Sequence, residues 1–310
     1  MNNEELIQWL LVGDASIQYQ SYRDLLNIDK KQLRKRIAKE GWGARFLQQR
    51  NENGHWGRGF YQPKWTSTHY TILDLKNLAI SPDINSILRT LSLILDQLKA
   101  RDGGIYPFGK SKISDVCING MFLNYACYFG VEQSRLKSVV NCLLDEHMPD
   151  GGFNCHSNRE WGARHSSTHS TLSVLEGILE YDRNAYNYRL DELRVAQAEA
   201  IEFLLQHKLF RSHRTGEIID KKYLRFTYPC RWRYDILRAL DYFQFARIKY
   251  DSRMDESIEI LLKKRSADGT WRLRAVHPGQ VHFKMEQAGE ASRWNTLRAL
   301  RVLNYYCINN

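Results

Sequence analysis

The hydrophobic residues of this chain recur three and four positions apart over most of its length, which is the spacing of one face of a helix. Leu6, Ile7, Leu10 and Leu11 begin the series, and Asp14 is placed to cap a second helix. Later runs predict helices over residues 30–50, with a break at 41–43, and over 66–77, 84–99, 114–129, 133–147, 167–181, 190–207, from about 233, 254–264 and 292–306. Sustained alternation with period two is nearly absent, so the pattern predicts an all-α protein.

A glycine-containing turn that leads into a helix recurs along the chain. Its copies are Gly54-His55-Trp56, Gly104-Ile105-Tyr106, Gly151-Gly152-Phe153 and Gly269-Thr270-Trp271. About five helical hairpins follow residue 30, although the fourth keeps little of the turn. Such hairpins stack as an open solenoid or close into a ring with the more apolar second helices inside. We predict a single domain over residues 1–310, in which 1–29 form a helical hairpin outside the repeats at 30–310.

Composition indicates the cellular location of the protein and the state of its cysteines, and says less about its catalytic chemistry. The 310 residues carry a formal charge of +10, many aromatic residues and no apolar run long enough to span a bilayer. The start is acidic and lacks an apolar signal core, so we expect a cytoplasmic protein. The six cysteines form no CxxC pair, which fits reduced thiols. Lys and Arg are spread among acidic residues, so the positive charge indicates a solvated surface and no nucleic acid partner is expected.

Two stretches of the first repeat resemble a known superfamily. Phe46-Leu47-Gln48-Gln49 followed by Asn53-Gly54-His55-Trp56, together with the later Asp-Gly-Gly turns, resembles the repeats of terpenoid cyclases and protein prenyltransferase β subunits. The resemblance covers roughly residues 30–310 and implies an (α/α) toroid around an aromatic-lined cavity. Arg50 stands where those repeats usually have glutamine. Class II cyclases such as squalene-hopene cyclase protonate an alkene with an Asp-x-Asp-Asp motif, which this sequence lacks.

The resemblance also implies a metal site. Protein prenyltransferases hold catalytic zinc with an Asp-x-Cys pair at one inner-helix start and a histidine at the next, and Asp115, Cys117 and His169 match that order. His165 is an alternative third ligand, and His69 occupies the position equivalent to Cys117 in the preceding unit. Such a set leaves the open fourth position that catalytic zinc requires. The same three residues also suit a helix cap, a core thiol and a hydrogen-bonded core histidine.

Candidate catalytic residues follow from the same motifs. They are Asp115, His165 and Asp235. Asp235 and Glu286 are possible acids, but each stands near arginines, which favours ion pairing over proton donation.

Residues beside the starts of the second helices predict where a ligand binds. Helix N-termini carry partial positive charge, and several basic residues lie beside them. The candidate ligand-binding residues are Lys64, Trp65, His69, Arg231, Arg233, Tyr234, Arg293 and Trp294. A cationic rim above an aromatic cavity suits a prenyl diphosphate, so we expect a terpenoid-cyclase-like or prenyltransferase-like protein. The alternatives are a non-catalytic toroid that binds a protein or small ligand, and a prenyltransferase β-like half that needs a partner subunit.

Overall fold

The structure, a computed structural model, describes residues 1–107 and 113–308. These residues are mostly helical, and two short antiparallel strands, β1 (Trp271–Arg272) and β2 (Ala291–Ser292), pair with each other. The prediction of an all-α protein is confirmed. The helices described in these ranges are α1 (Asn3–Leu11), α2 (Ala15–Leu25), α3 (Lys31–Arg36), α4 (Gly41–Gln48), α5 (Thr68–Asn77), α6 (Asn85–Gln97), α7 (Val116–Tyr128), α8 (Gln133–Asp145), α9 (His156–Glu160), α10 (Thr168–Arg183), α11 (Leu190–Gln206), α12 (Ile236–Phe245), α13 (Asp255–Lys263) and α14 (Arg293–Tyr305). Short 3₁₀ turns lie at Lys64–Thr66, Lys221–Leu224 and Ser252–Met254.

The break in the 30–50 segment falls earlier than the predicted glycine pair. Residues 37–40 form the turn between α3 and α4, and Gly41 begins α4 with a φ of +63°. A side chain at Gly41 would also meet the carboxylate of Asp14, which accepts a hydrogen bond from the Trp42 N–H at 2.8 Å. The glycine therefore starts a helix because this conformation and this close approach both favour it. Asp14 also accepts from the Ser16 N–H, so its predicted capping of α2 is confirmed.

The glycine-containing turns are tied to the helices that follow them by one recurring hydrogen bond. A backbone N–H in the turn donates to a side chain of a later helix, in the pairs Trp56 to Thr68, Ile105 to Asn119, Phe153 to Thr171 and Trp271 to Thr296, at 2.7 to 3.0 Å. Two turn tryptophans also donate from the indole N–H to the preceding helix, Trp56 to the Phe46 carbonyl and Trp271 to the Leu261 carbonyl. The sequence unit is therefore built in the same way at four places.

Helices α7 and α10 pack backbone against backbone. An added Cβ at Gly177 would lie 2.5 Å from the Gly120 carbonyl oxygen, and one at Gly120 would lie 2.7 Å from the Ser173 carbonyl oxygen. The two glycines therefore permit a separation that no larger residue would allow.

The N-terminal hairpin contacts both α5, which follows the first glycine-containing turn, and α14, the last described helix. Gln20 on α2 donates to the Asn77 carbonyl at the end of α5, at 3.0 Å. Its side-chain oxygen accepts from Arg301 on α14 at 2.6 Å, and Arg301 also pairs with Asp24 at 2.8 Å. Helix α2 thus links α5 to α14. Among the described helices none combines the length and apolar character needed to cross a membrane.

Candidate functional site

A cavity of about 420 Å³ lies among α2, α5, α7, α10, α12 and α14 and the loop that precedes α12. Its aromatic lining consists of Tyr128, Tyr228, Tyr242, Phe245 and Trp294. Its basic lining consists of Arg23, Lys76, Arg183, Arg231, Arg238, Arg298 and Arg301. The volume falls within the range of small-molecule sites, and the mixed lining offers both apolar contact and charge.

Most of these basic side chains are held by carboxylates. Arg238 forms two hydrogen bonds with Glu176, at 2.8 and 2.7 Å, while remaining only 5% exposed. Arg231 lies 3.5 Å from Asp74. The remaining pairs are Arg23 with Asp24, Lys76 with Glu180, Arg298 with Asp235 and Asp241, and Arg301 with Asp24 and Asp241. Arg183 is exposed and donates to the Phe245 carbonyl, with no ion pair in the part of the chain that the structure describes. Six carboxylates therefore pair with the seven basic groups, and three of the six, Glu176, Glu180 and Asp241, also line the cavity.

Several buried polar atoms of the lining lack a hydrogen-bond partner among the described residues. The acceptors are Asn124 Oδ1 and Asp241 Oδ1, and the donors that also lack a carboxylate contact are Arg231 Nε and Trp294 Nε1, whereas Arg301 Nε lies 2.8 Å from Asp24. Asp74, beside Arg231, has two such oxygens. A buried polar atom without a partner is costly, so these atoms mark where a polar ligand or water would be bound.

Burial changes the acid strength of three carboxyls that pair with arginines of the cavity lining. Desolvation raises the pKa of Asp74 to about 6, and the nearby Arg231 guanidinium opposes that rise. Desolvation likewise raises the pKa of Asp241 and of Asp235, against the opposing effect of neighbouring arginines. The net charge of the wall therefore becomes more positive as the pH falls.

A second group of predicted residues gathers around Lys64, near the starts of α5, α7, α10 and α12. Its ammonium lies 5.1 Å from the centroid of the Trp65 ring and 5.0 Å from that of Trp232. The Trp232 ring lies 5.1 Å from the His169 ring. Cys117 is close enough for Lys64 to influence its thiol. Lys64, Trp65, Trp232 and His169 thus form a cluster, and none of them is among the residues that line the cavity.

The proposed zinc ligands have other partners. Both carboxylate oxygens of Asp115 accept from Ser157, at 3.0 Å each. His169 Nδ1 accepts from the Tyr234 N–H at 2.7 Å. A hydrogen bond with Cys155 and burial raise the pKa of the Cys117 thiol, although zinc binds the thiolate. Residues 1–107 and 113–308 contain no group of three or more His, Cys, Asp or Glu side chains arranged to hold a metal ion. This arrangement does not fit zinc, and the zinc site stays a prediction of the resemblance.

The histidines of the prediction differ in environment. His69 is fully buried, with Nδ1 2.9 Å from the Tyr125 hydroxyl, and burial lowers its pKa to about 3. Burial, with Arg238 and Arg233, lowers the pKa of His169 to about 4. His165 is exposed and lies 3.8 Å from Asp150 at the surface. These environments indicate neutral imidazoles for His69 and His169 at neutral pH.

Other predicted residues divide between the cavity and structural contacts. Arg231 and Trp294 line the cavity, and Trp294 stacks on Tyr228 with ring centroids 4.4 Å apart. Asp235 caps α12 by accepting from the Arg238 N–H at 2.8 Å. Arg293 contacts Trp9 on α1, with its guanidinium 4.4 Å from the ring centroid.

Two predicted residues remain. Arg233 lies over the Trp232 ring at 5.0 Å. The Tyr234 hydroxyl donates to the Leu209 carbonyl. Neither is among the residues that line the cavity.

The charged wall was missed by sequence reasoning, although one signal was present. Arg238 and Arg298 occupy equivalent positions in two similar segments, 233–240 and 293–300, and each is preceded by leucine and followed by Ala-Leu. A basic residue that recurs between apolar residues in this way indicates an interior charge. Asp74, Glu176 and Asp241 had no comparable signal, because their partners lie on other elements.

Comparison of the sequence with protein-family models and with curated proteins finds no match.

Proposed function

We propose that the helices close into a ring in which α2, α5, α7, α10, α12 and α14 surround the central cavity. The contacts of α2 with both α5 and α14 support closure, because α2 then fills the gap between the first and last predicted repeats. In this proposal the N-terminal hairpin supplies an inner helix, so the toroid has six hairpin units rather than the five predicted from the repeats.

The function we propose is the binding of a small organic anion inside this ring. The observation that carries the proposal is the cavity of about 420 Å³ with seven basic and five aromatic residues in its lining. The resemblance to terpenoid cyclases and prenyltransferases makes a prenyl diphosphate the first anion to test. Its head group would contact the arginines, and its chain would contact the aromatic rings. A terpenoid-cyclase-like or prenyltransferase-like activity stays a prediction that rests on the resemblance.

Calorimetry with geranyl diphosphate and farnesyl diphosphate tests binding, and product analysis with labelled diphosphates and squalene tests turnover. Arg183→Met removes the one basic group of the lining that has no ion pair among the described residues, so it leaves no carboxylate unpaired. Arg214→Met, at an exposed position, is the matched control. The proposal is supported if Arg183→Met weakens binding and Arg214→Met leaves it unchanged.

Three outcomes separate the candidate functions. Binding with new products supports an enzyme, whereas binding without products supports a non-catalytic ligand-binding protein. If the prenyl diphosphates neither bind nor yield products, the proposal of an isoprenoid ligand is contradicted. Elemental analysis of the purified protein tests the zinc prediction separately, because a metal-free protein contradicts it. Sedimentation of the purified chain, alone and with cell extract, tests the predicted partner subunit.

A further inference from the structure

We propose that the central cavity takes a hydroxyl-bearing organic monoanion, such as a sugar acid, in preference to a prenyl diphosphate. This inference rests on the proposed binding function of the cavity and adds the chemical class of the ligand. Three observations carry it: the unpartnered polar atoms of the wall, the balance of charge around it and the aromatic pair that lines one side.

The unpartnered atoms require a ligand that both donates and accepts hydrogen bonds. Asn124 Oδ1 and Asp241 Oδ1 need donors, whereas Arg231 Nε and Trp294 Nε1 need acceptors. Asn124 lies on α7, Asp241 on α12, Trp294 on α14 and Arg231 in the loop before α12, so the unpartnered donors and acceptors are distributed around the cavity. An isoprenoid chain offers neither donor nor acceptor, and a diphosphate group in its ionised form only accepts. A hydroxyl group does both, which matches this wall.

The charge balance limits the negative charge of the ligand. Seven basic side chains line the cavity together with Glu176, Glu180 and Asp241, and Asp24, Asp74 and Asp235 pair with these basic groups from outside the lining. With all of these groups ionised, the lining and its ion-pair partners together carry one positive charge in excess. A carboxylate of charge −1 neutralises it, whereas a phosphate ester already carries about −1.5 to −2 near pH 7 and a diphosphate carries more. Excess negative charge among desolvated carboxylates is unfavourable.

The aromatic pair provides a flat apolar contact beside a hydrogen-bond donor. Trp294 and Tyr228 both line the cavity and stack nearly parallel, with ring planes 16° apart. Trp294 is 1% exposed, and its indole N–H has no partner among the described residues. A pyranose ring has an apolar C–H face and hydroxyls at its edge, so it suits a wall that combines an aromatic surface with a free donor.

Calorimetry on the full chain compares four probes at neutral pH: D-glucuronate, D-glucose, hexanoate and geranyl diphosphate. D-Glucose lacks the charge and hexanoate lacks the hydroxyls, so each tests one part of the inference. We expect D-glucuronate to bind at least about tenfold more tightly than each of the other three, which is the effect of one or two well-formed hydrogen bonds or one charge contact. D-Gluconate and D-quinate extend the set if the shape of D-glucuronate does not match the cavity.

A variant locates the binding. Asn124→Leu removes one unpartnered acceptor while keeping a side chain branched at Cγ, and we expect it to weaken D-glucuronate binding about tenfold and hexanoate binding little. Asn304→Leu, at an exposed position of α14, is the matched control. Circular dichroism establishes that both variants are folded, and Trp294→Phe replaces Asn124→Leu if the latter is not.

The outcomes distinguish this inference from the proposed function. Tighter binding of geranyl diphosphate than of all three hydroxylated anions overturns the ligand class and leaves anion binding in the cavity standing. The inference is also overturned if D-glucuronate binds equally well to the wild type, Asn124→Leu and Trp294→Phe, because the ligand then binds elsewhere. Absence of binding by every probe contradicts both the inference and the proposed function.

Discussion

Replacing Gly177 by alanine tests the close contact between α7 and α10. An alanine Cβ there would lie 2.5 Å from the Gly120 carbonyl oxygen, whereas ordinary contacts begin near 3.4 Å. The helices must therefore separate locally by about 0.9 Å or distort. Both helices contribute to the cavity wall, through Asn124 and Tyr128 on α7 and Glu176 on α10, so the same change should disturb the cavity.

Two opposing effects set the magnitude. Alanine is favoured over glycine within a helix by about 1 kcal/mol. Crowding of a well-packed interface costs about 1–3 kcal/mol, and separating the surfaces by nearly an ångström loses a substantial part of their dispersion energy. The clash involves backbone on both sides, so no side chain can rotate away. We expect the upper half of that range, and hence a net loss of about 1–2 kcal/mol in the free energy of unfolding.

Urea denaturation followed by circular dichroism at 222 nm measures this loss through the midpoint and slope of the transition. Gly120→Ala should cost a similar amount, and the double variant should cost less than the two single changes together, because the first separation makes room for the second. Gly130→Ala is the control: its φ is +76° and no atom lies within 4 Å of the new Cβ, so its cost of about 1 kcal/mol should add to that of Gly177→Ala. Stabilisation by Gly177→Ala, or additive costs for the two helical glycines, would refute the reasoning.

Two further predictions concern buried charge. Glu176→Ala leaves the Arg238 guanidinium buried without its carboxylate, so we expect a loss of about 3 kcal/mol in the free energy of unfolding. Glu259→Ala, which breaks an exposed ion pair, should cost less than about 1 kcal/mol. Equal losses in urea denaturation would contradict the role of burial. The pKa of His69 is about 3 in the folded protein, below the ordinary value of 6.5. The unfolded chain therefore binds a proton at this histidine first as the pH falls. The free energy of unfolding should decrease below about pH 6.5, by at most about 1.4 kcal/mol per pH unit. The raised pKa of Asp74 increases the free energy of unfolding as the pH falls below about 6. Because His69→Gln retains Asp74, comparing the wild type with this variant cancels that contribution. Unfolding free energies between pH 7 and 4.5 should therefore fall less steeply in His69→Gln, and identical slopes would contradict the assignment.

Sequence periodicity predicted the helices well because their apolar faces and capping residues are local features. The predicted helix over 190–207 corresponds to Leu190–Gln206, and that over 133–147 corresponds to Gln133–Asp145. The short helix His156–Glu160 was not predicted, since five residues carry too little periodicity to be recognised. The start of α12 at Ile236 rather than near 233 follows from the capping bonds of Asp235, which compete with helix formation at the preceding residues.

The candidate site was harder to predict because partners in space are distant in sequence. Asp74 on α5 pairs with Arg231, which belongs to a loop far along the chain. Motif reasoning instead selected residues at the helix starts, where a resemblance supplied roles for Asp115 and Cys117. Those residues do lie near one another, but their hydrogen bonds with Ser157 and Cys155 could not be anticipated from spacing alone.

The ion pairs around the cavity connect α2, α10, α12 and α14 to one another, so a change in one pair affects both the stability of the fold and the cavity wall. Arg238 on α12 pairs with Glu176 on α10. Further around the proposed ring, α14 pairs with Asp241 on α12 and with Asp24 on α2 through its arginines. A substitution in one of these pairs removes a link between helices and also changes the wall, so a loss of ligand binding would not by itself identify a binding residue. The informative positions are those outside the network. Arg183 and Asn124 line the cavity without taking part in any ion pair among the described residues, so changes there should alter binding while leaving these ion pairs in place.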